Sequence, residues 1–182
     1  MRAFRIPAVL AVATFCLAAP HAADAQSRKD SGLALSNDKP IQIESDNLEI
    51  REQEKRAYFS GNVRVAQGQM TLQASKMTVY YKSGSKSIAA GGADIDRIDV
   101  SGNVKLSSAT QKATADAGSF NMVSEVLVLN GNPVVLSEGG NVFTGCKLTV
   151  QMKSGLANLG SCGNRVKILI DPNPRYALQL AH

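Results

Sequence analysis

The chain has 182 residues, a formal net charge of +5, 20 basic and 15 acidic residues, no tryptophan and 2 histidines. Basic residues dispersed among acids, with no tryptophan to stack on bases, argue against a nucleic-acid binder. The histidines are His21 and the last residue, His182, which leaves the body of the chain without a Ser-His-Asp, Cys-His or histidine-metal constellation.

At the N-terminus, Arg2 and Arg5 precede an apolar run from Ile6 to Ala19, which Pro20 breaks, and Ala23-Asp24-Ala25 offers an A-x-A cleavage site. This is the layout of a secretory signal peptide, and the run is shorter than the roughly 20 residues of a membrane span. An uncleaved anchor is the alternative; Cys16 follows Ala13-Thr14-Phe15, a poor lipobox. The expected mature chain starts at Gln26, with a flexible lead-in over 26–38, one domain over 39–172 and a tail over 173–182.

Within that domain a Gly-Asn device recurs: "FSGNVRV" (Phe59–Val65), "VSGNVKL" (Val100–Leu106), "LNGNPVV" (Leu129–Val135) and a worn "SCGNRVK" (Ser161–Lys167). Repeats roughly 30 to 40 residues apart mean stacked supersecondary units. Gly accepts positive φ freely and Asn better than most residues. Because the pair sits inside apolar alternation, it predicts a kink or bulge within a long strand.

A second pattern, apolar or small residues at i, i+2, i+5 and i+7, lies between the pairs. It reads as Ile41, Ile43, Asp46, Leu48; Leu72, Ala74, Met77, Val79; Ala113, Ala115, Gly118, Phe120; and Phe143, Gly145, Leu148, Val150. The step from i+2 to i+5 reverses strand parity, which a bulge or bend achieves. A bend at the same place in every unit predicts a sheet folded over along a shared corner. Polar turns are expected at Arg51–Lys55, near Lys82–Ser85 with an insertion at Ala89–Gly92, at Val123–Glu125 and at Lys153–Gly155. The fold class is all-β: an antiparallel folded-over β-jelly roll of about four serial long hairpins, without a helical period.

Cys146 and Cys162 remain after export into an oxidising compartment. A hairpin centred on Ser154 sets them opposite each other and predicts a cross-strand disulfide, two free buried thiols being the alternative. No catalytic set, metal site or cofactor site emerges. Asp94, Asp96 and Asp99 cluster in what reads as a solvated loop, and Asp46 and Asp116 lie near the bend, where a carboxylate caps backbone amides.

The reading therefore favours binding over catalysis. The inward face collects Ile41, Ile43, Leu48 and Ile50, then Phe59, Val63 and Val65, then Leu72, Met77 and Val79. It continues through Leu106, Phe120, Met122, Leu129, Leu148 and Val150. This is either a packed core or, if the sheets splay, an aliphatic trough suited to acyl chains, at roughly 0.8 kcal/mol per methylene removed from water.

The segments "PIQIESDNLEI" (Pro40–Ile50) and "AYFSGNVRVAQGQMTLQASKMTVYY" (Ala57–Tyr81) resemble the LptA, or OstA-like, family. "IDVSGNVKL", "VLVLNGNPVVL" and "GNVFTGCKLTVQMKSG" continue the match over about Lys39 to Pro172. The resemblance implies a periplasmic, non-enzymatic carrier of lipopolysaccharide, whose lipid A acyl chains ride in an apolar groove. It implies head-to-tail association through edge strands, with copies of itself, with an LptC-like inner-membrane protein and with an LptD-like outer-membrane protein. Ile41 and Ile43 would lie on one edge and Val166, Ile168 and Ile170 on the other. A structural adaptor that binds only other jelly rolls, with a filled interior, is the alternative.

Overall fold

In the computed structural model the described residues are Leu33, Leu35, 39–84, 86 and 93–172. They build one antiparallel sheet of ten strands, β1 (Gln42–Glu44), β2 (Asn47–Arg51), β3 (Arg56–Gln67), β4 (Met70–Tyr81), β5 (Ile95–Ser107), β6 (Gln111–Asn121), β7 (Val126–Glu138), β8 (Asn141–Gln151), β9 (Leu156–Gly160) and β10 (Lys167–Leu169). A single 3-10 turn, Glu52–Glu54, follows β2, and the described residues contain no α-helix. β3 to β8 are sequential hairpin neighbours. Each edge is broken in two, with β1 and β2 both pairing with β3, and β9 and β10 both pairing with β8. The expected folded-over, antiparallel jelly roll is what the chain forms.

The bend arises because alternate strands carry extra residues. Between Ser60 and Val63, β3 spends three steps where β4 spends two, from Lys76 to Ala74. β5 gains one residue in the same way against both neighbours, and β7 gains two. A surplus residue on one side of a ladder bends it and raises its twist. The same surplus on β3, β5 and β7 bends the whole sheet along one line.

The Gly-Asn pairs supply the backbone shape at two of these corners. Gly61 and Asn62 have φ of 77° and 46°, and Gly102 and Asn103 have 80° and 53°. The third copy works differently: Gly131 is not left-handed, and the Asn132-Pro133 peptide bond is cis. The fourth, Gly163, is left-handed but lies in the loop between β9 and β10, not within a strand. One device thus covers only part of what the repeated letters suggest.

The register also corrects the first copy of the i, i+2, i+5, i+7 pattern. Ile43 opposes Val65 and Leu48 opposes Phe59; Leu72 and Met77 oppose the same two residues from the other side. The first copy is therefore Ile43, Ser45, Leu48, Ile50, two residues later than the apolar spacing suggested. Small Ser45 stands where the other copies have Ala74, Ala115 and Gly145.

Directly opposed residues share a face, so the pairings define three apolar rungs that cross the whole sheet. One runs Ile43, Val65, Leu72, Leu106, Ala113, Leu136, Phe143, Ile168. Another runs Leu48, Phe59, Met77, Val100, Gly118, Leu129, Leu148, Leu159. The third runs Ile50, Ala57, Val79, Ile98, Phe120, Leu127, Val150, Ala157. The first rung lies on one side of the corner and the other two beyond it. The molecule is thus two leaves hinged along the bend, with the apolar face inside.

Candidate functional site: an apolar cleft between two leaves

Most of the sequence-derived inward residues are buried together. Phe59, Val63, Val65, Leu72, Met77, Val79, Leu106, Phe120, Met122, Leu129 and Leu148 belong to one continuous core, and Ile41, Ile43, Ile50 and Val150 pack against it half-buried. Leu48 differs: it is on the inner rung beside Phe59 yet 49% exposed, because β2 is an edge and nothing covers its far side. The opposite edge behaves alike. Ile168 continues the inner rung from Phe143 and is 57% exposed, with Ile170 at 69%. Val166 and Ile170 flank β10, and Ile41 flanks β1. The apolar inner face therefore runs from edge to edge and is uncapped at both ends.

Each corner is clamped by the residue at i+3 of the corrected pattern: Asp46, Ser75, Asp116 and Cys146. Asn62 Nδ2 donates to Asp46 Oδ2 at 2.8 Å, and Asp46 N donates to Gly61 O at 2.9 Å. Ser75 Oγ donates to Gly102 O at 3.1 Å, and Asn132 N donates to Asp116 Oδ2 at 3.0 Å. Asp116 thus caps a backbone amide as expected, while Asp46 takes a side-chain amide instead. A Cβ on Gly102 would come within 2.6 Å of Ser75 Oγ, so close approach as well as φ demands glycine there. At the last corner the clamp is covalent, since Cys146 is bonded to Cys162 with Cα atoms 5.7 Å apart. The two are not directly opposed: Lys147 faces Gly160, so Cys162 lies one position past the register and β9 has ended.

The outer face carries charge at one end of the roll. Arg51 bonds to Glu49 and Glu54 at 2.7 and 3.1 Å, and Tyr58 Oη donates to Glu54 at 3.0 Å. The Tyr58 hydroxyl, then the Arg51 guanidinium, hold the Glu54 carboxyl below its usual range. Tyr80 lies between Arg56 and Arg97, whose guanidinium carbons are 5.0 and 4.1 Å from its ring centre. Burial, then donation to Glu52 at 2.9 Å, pushes the Tyr81 phenol up. Asp96 and Asp99 are not in a loop but on β5, where Asp99 accepts from Ser119 at 2.7 Å and pairs with Arg97 at 3.2 Å. No group of three or more potential ligands that would hold a metal ion occurs among the described residues. Ala89–Gly92 lie outside the described residues.

Several cleft residues escaped the sequence reading. Ile98 and Val100 precede the second Gly-Asn pair in the same alternation as Ala57 and Phe59, so that signal was present. Val134 is fully buried because β7 gains two residues where β3 and β5 gain one, which sets the inward residue three places after Gly131 and not two. Leu33 and Leu35, inside the segment read as a flexible lead-in, are 5% and 8% exposed and line the cleft with residues of both leaves. No sequence rule flagged them beyond their two-residue spacing.

Comparison with known proteins agrees with this geometry. Residues 42–156 match the family described as LptA/(LptD N-terminal domain) LPS transport protein. An uncharacterized protein of Rhizobium meliloti (strain 1021) is 54% identical over 175 residues, covering 94% of each chain. A Rhizobium etli protein from the 5′ region of an rpoN-linked probable transport protein is 67% identical over 42 residues, covering 23% of this chain and 78% of its own. The crystal structure of LptH, the LptA-homologous periplasmic component of the lipopolysaccharide transport device of Pseudomonas aeruginosa, superposes with a TM-score of 0.62 at 19% identity, covering 74% of this chain and 97% of LptH, which speaks to fold. With the family model matched over residues 42–156, most of the sheet, this chain belongs to the LptA/LptD N-terminal domain family of lipopolysaccharide transport proteins.

Proposed function

We propose that the protein is a non-catalytic periplasmic carrier that holds the lipid A acyl chains of lipopolysaccharide between its two leaves. It hands the lipid along by edge-strand association, with copies of itself and with LptC-like and LptD-like jelly rolls. The observation that carries this reading is the inner face itself: three apolar rungs run unbroken from edge to edge and stay uncovered at Leu48 and Ile168. A closed structural core has no reason to leave its own rung residues half in water, whereas a conduit continues across each edge into the next domain. Exposed strand edges are ordinarily a liability; here they are the means of β-augmentation. Apolar cleft walls without a polar network suit ligands recognised by acyl surface alone. Export through the N-terminal signal, with cleavage near Ala25, places the protein where such a carrier works.

The test is lipid recovery. The protein purified from the periplasm is extracted and its lipid identified by mass spectrometry, beside a Leu48→Asp variant. Leu48 is half-exposed, so its substitution spares the fold while placing a charge on the conduit wall. Lipopolysaccharide on the parent and several-fold less on the variant supports the carrier. No lipid on either favours the adaptor that binds only other jelly rolls.

A further inference from the structure

Leu33 and Leu35 are the only described residues ahead of Lys39, and both are buried. They do not belong to any strand of the sheet. Their side chains line the cleft between the leaves, with Met70, Leu72 and Leu106 on one side and Ile98, Phe120 and Leu127 on the other. Those six are the acyl-facing walls of the carrier reading, so the segment and an acyl chain compete for one place.

At the lip of the cleft the Gln67 side chain, 6% exposed, donates from Nε2 to the Lys39 carbonyl at 2.8 Å and holds Lys39 to the end of β3. Gln67 is the one buried polar residue among the described residues. Leu33 and Leu35 themselves contribute apolar side chains and belong to no strand. Apolar burial is non-directional, so an acyl chain replaces two leucines without leaving a sheet hydrogen bond unmade.

We propose that Leu33 and Leu35 are a built-in plug of the cleft, displaced when acyl chains enter. The proposal rests on the carrier reading. The plug keeps the apolar walls out of water while the protein is empty. It also lowers apparent affinity by the fraction of molecules that are plugged, which favours handing lipid onward over retaining it.

The test uses the full chain with Cys16→Ser and Leu35→Cys, which leaves one free thiol because Cys146 and Cys162 are bonded. Alkylation by a maleimide is timed without and with purified lipopolysaccharide, against a Lys105→Cys control on the outer face. Binding of lipopolysaccharide is measured in parallel for the parent and for Leu33→Asp/Leu35→Asp. The plug predicts slow alkylation in the empty protein, at least about tenfold faster alkylation when lipid is bound, and about tenfold tighter binding by the double variant. Alkylation of the empty protein as fast as the control overturns the plug and leaves the carrier reading intact. Alkylation that stays slow with lipid bound makes Leu35 a fixed part of the core and also overturns it. Lipopolysaccharide bound by neither protein contradicts the carrier, and the plug with it.

Discussion

At the scale of single residues, the corners are held by close pairs of small groups. Gly102 combines φ of 80° with the Ser75 hydroxyl in the space a side chain would need. Gly102→Ala is expected to cost about 1–3 kcal/mol, the range for a non-glycine residue in a sparsely populated backbone region, read as a lower thermal midpoint. Tyr81 offers a pH-dependent check. Its phenol is raised above the ordinary value of about 10, so the stability it contributes is complete below that ordinary value and is lost as pH rises through the raised one. Denaturant midpoints from pH 8 to 11 should therefore fall more steeply for the parent than for Tyr81→Phe. Equal slopes would mean that the Tyr81–Glu52 contact does not outlast the ordinary phenol pKa.

At the scale of elements, the last corner and the two edges are where sequence and structure part company. The disulfide closes 16 residues, so in the chain-entropy account Cys146→Ser/Cys162→Ser should lose about 3 kcal/mol, measured by urea unfolding; the loss belongs to the β8–β9 hairpin and its loop. On the proposed reading the C-terminal edge strand serves association more than stability. Ile168→Pro removes a backbone donor from a residue 57% exposed. It should leave the monomer folded while weakening self-association, seen by sedimentation at several concentrations. An unchanged association constant would move the interface elsewhere. Long strands such as β3 and β4 were legible because alternation survives on both sides of each bulge. The first copy of the bend pattern was misplaced by two residues because Ile41, Ile43, Leu48 and Ile50 allow either phasing. Only pairing with Val65 and Phe59 decides between them, and pairing is not a local property.

At the scale of the whole molecule, a bend, an apolar face and two uncapped edges form, on the proposed reading, one conduit. The repeat and its parity flips made the folded-over sheet readable, since both are local consequences of backbone sterics. The inner wall was largely readable for the same reason. The occupancy of the cleft by Leu33 and Leu35 was not, because two leucines in a polar, Ser- and Asp-containing stretch carry no periodic signal and are fixed by what they meet across the fold. The shape also separates the two faces by task. Most ionic and cation–π contacts lie outside, where exposed pairs contribute little to stability, while the interior is apolar apart from buried Gln67 and the phenol of Tyr81.

On the proposed reading the inner face meets acyl chains. A photo-crosslinking amino acid placed at Phe59, on the inner rung, is compared in living cells with one at Lys105, on the outer face, and the captured protein is probed for lipopolysaccharide. Adducts are expected at Phe59 and none at Lys105. A folded, exported protein with no adduct at Phe59 would contradict that reading.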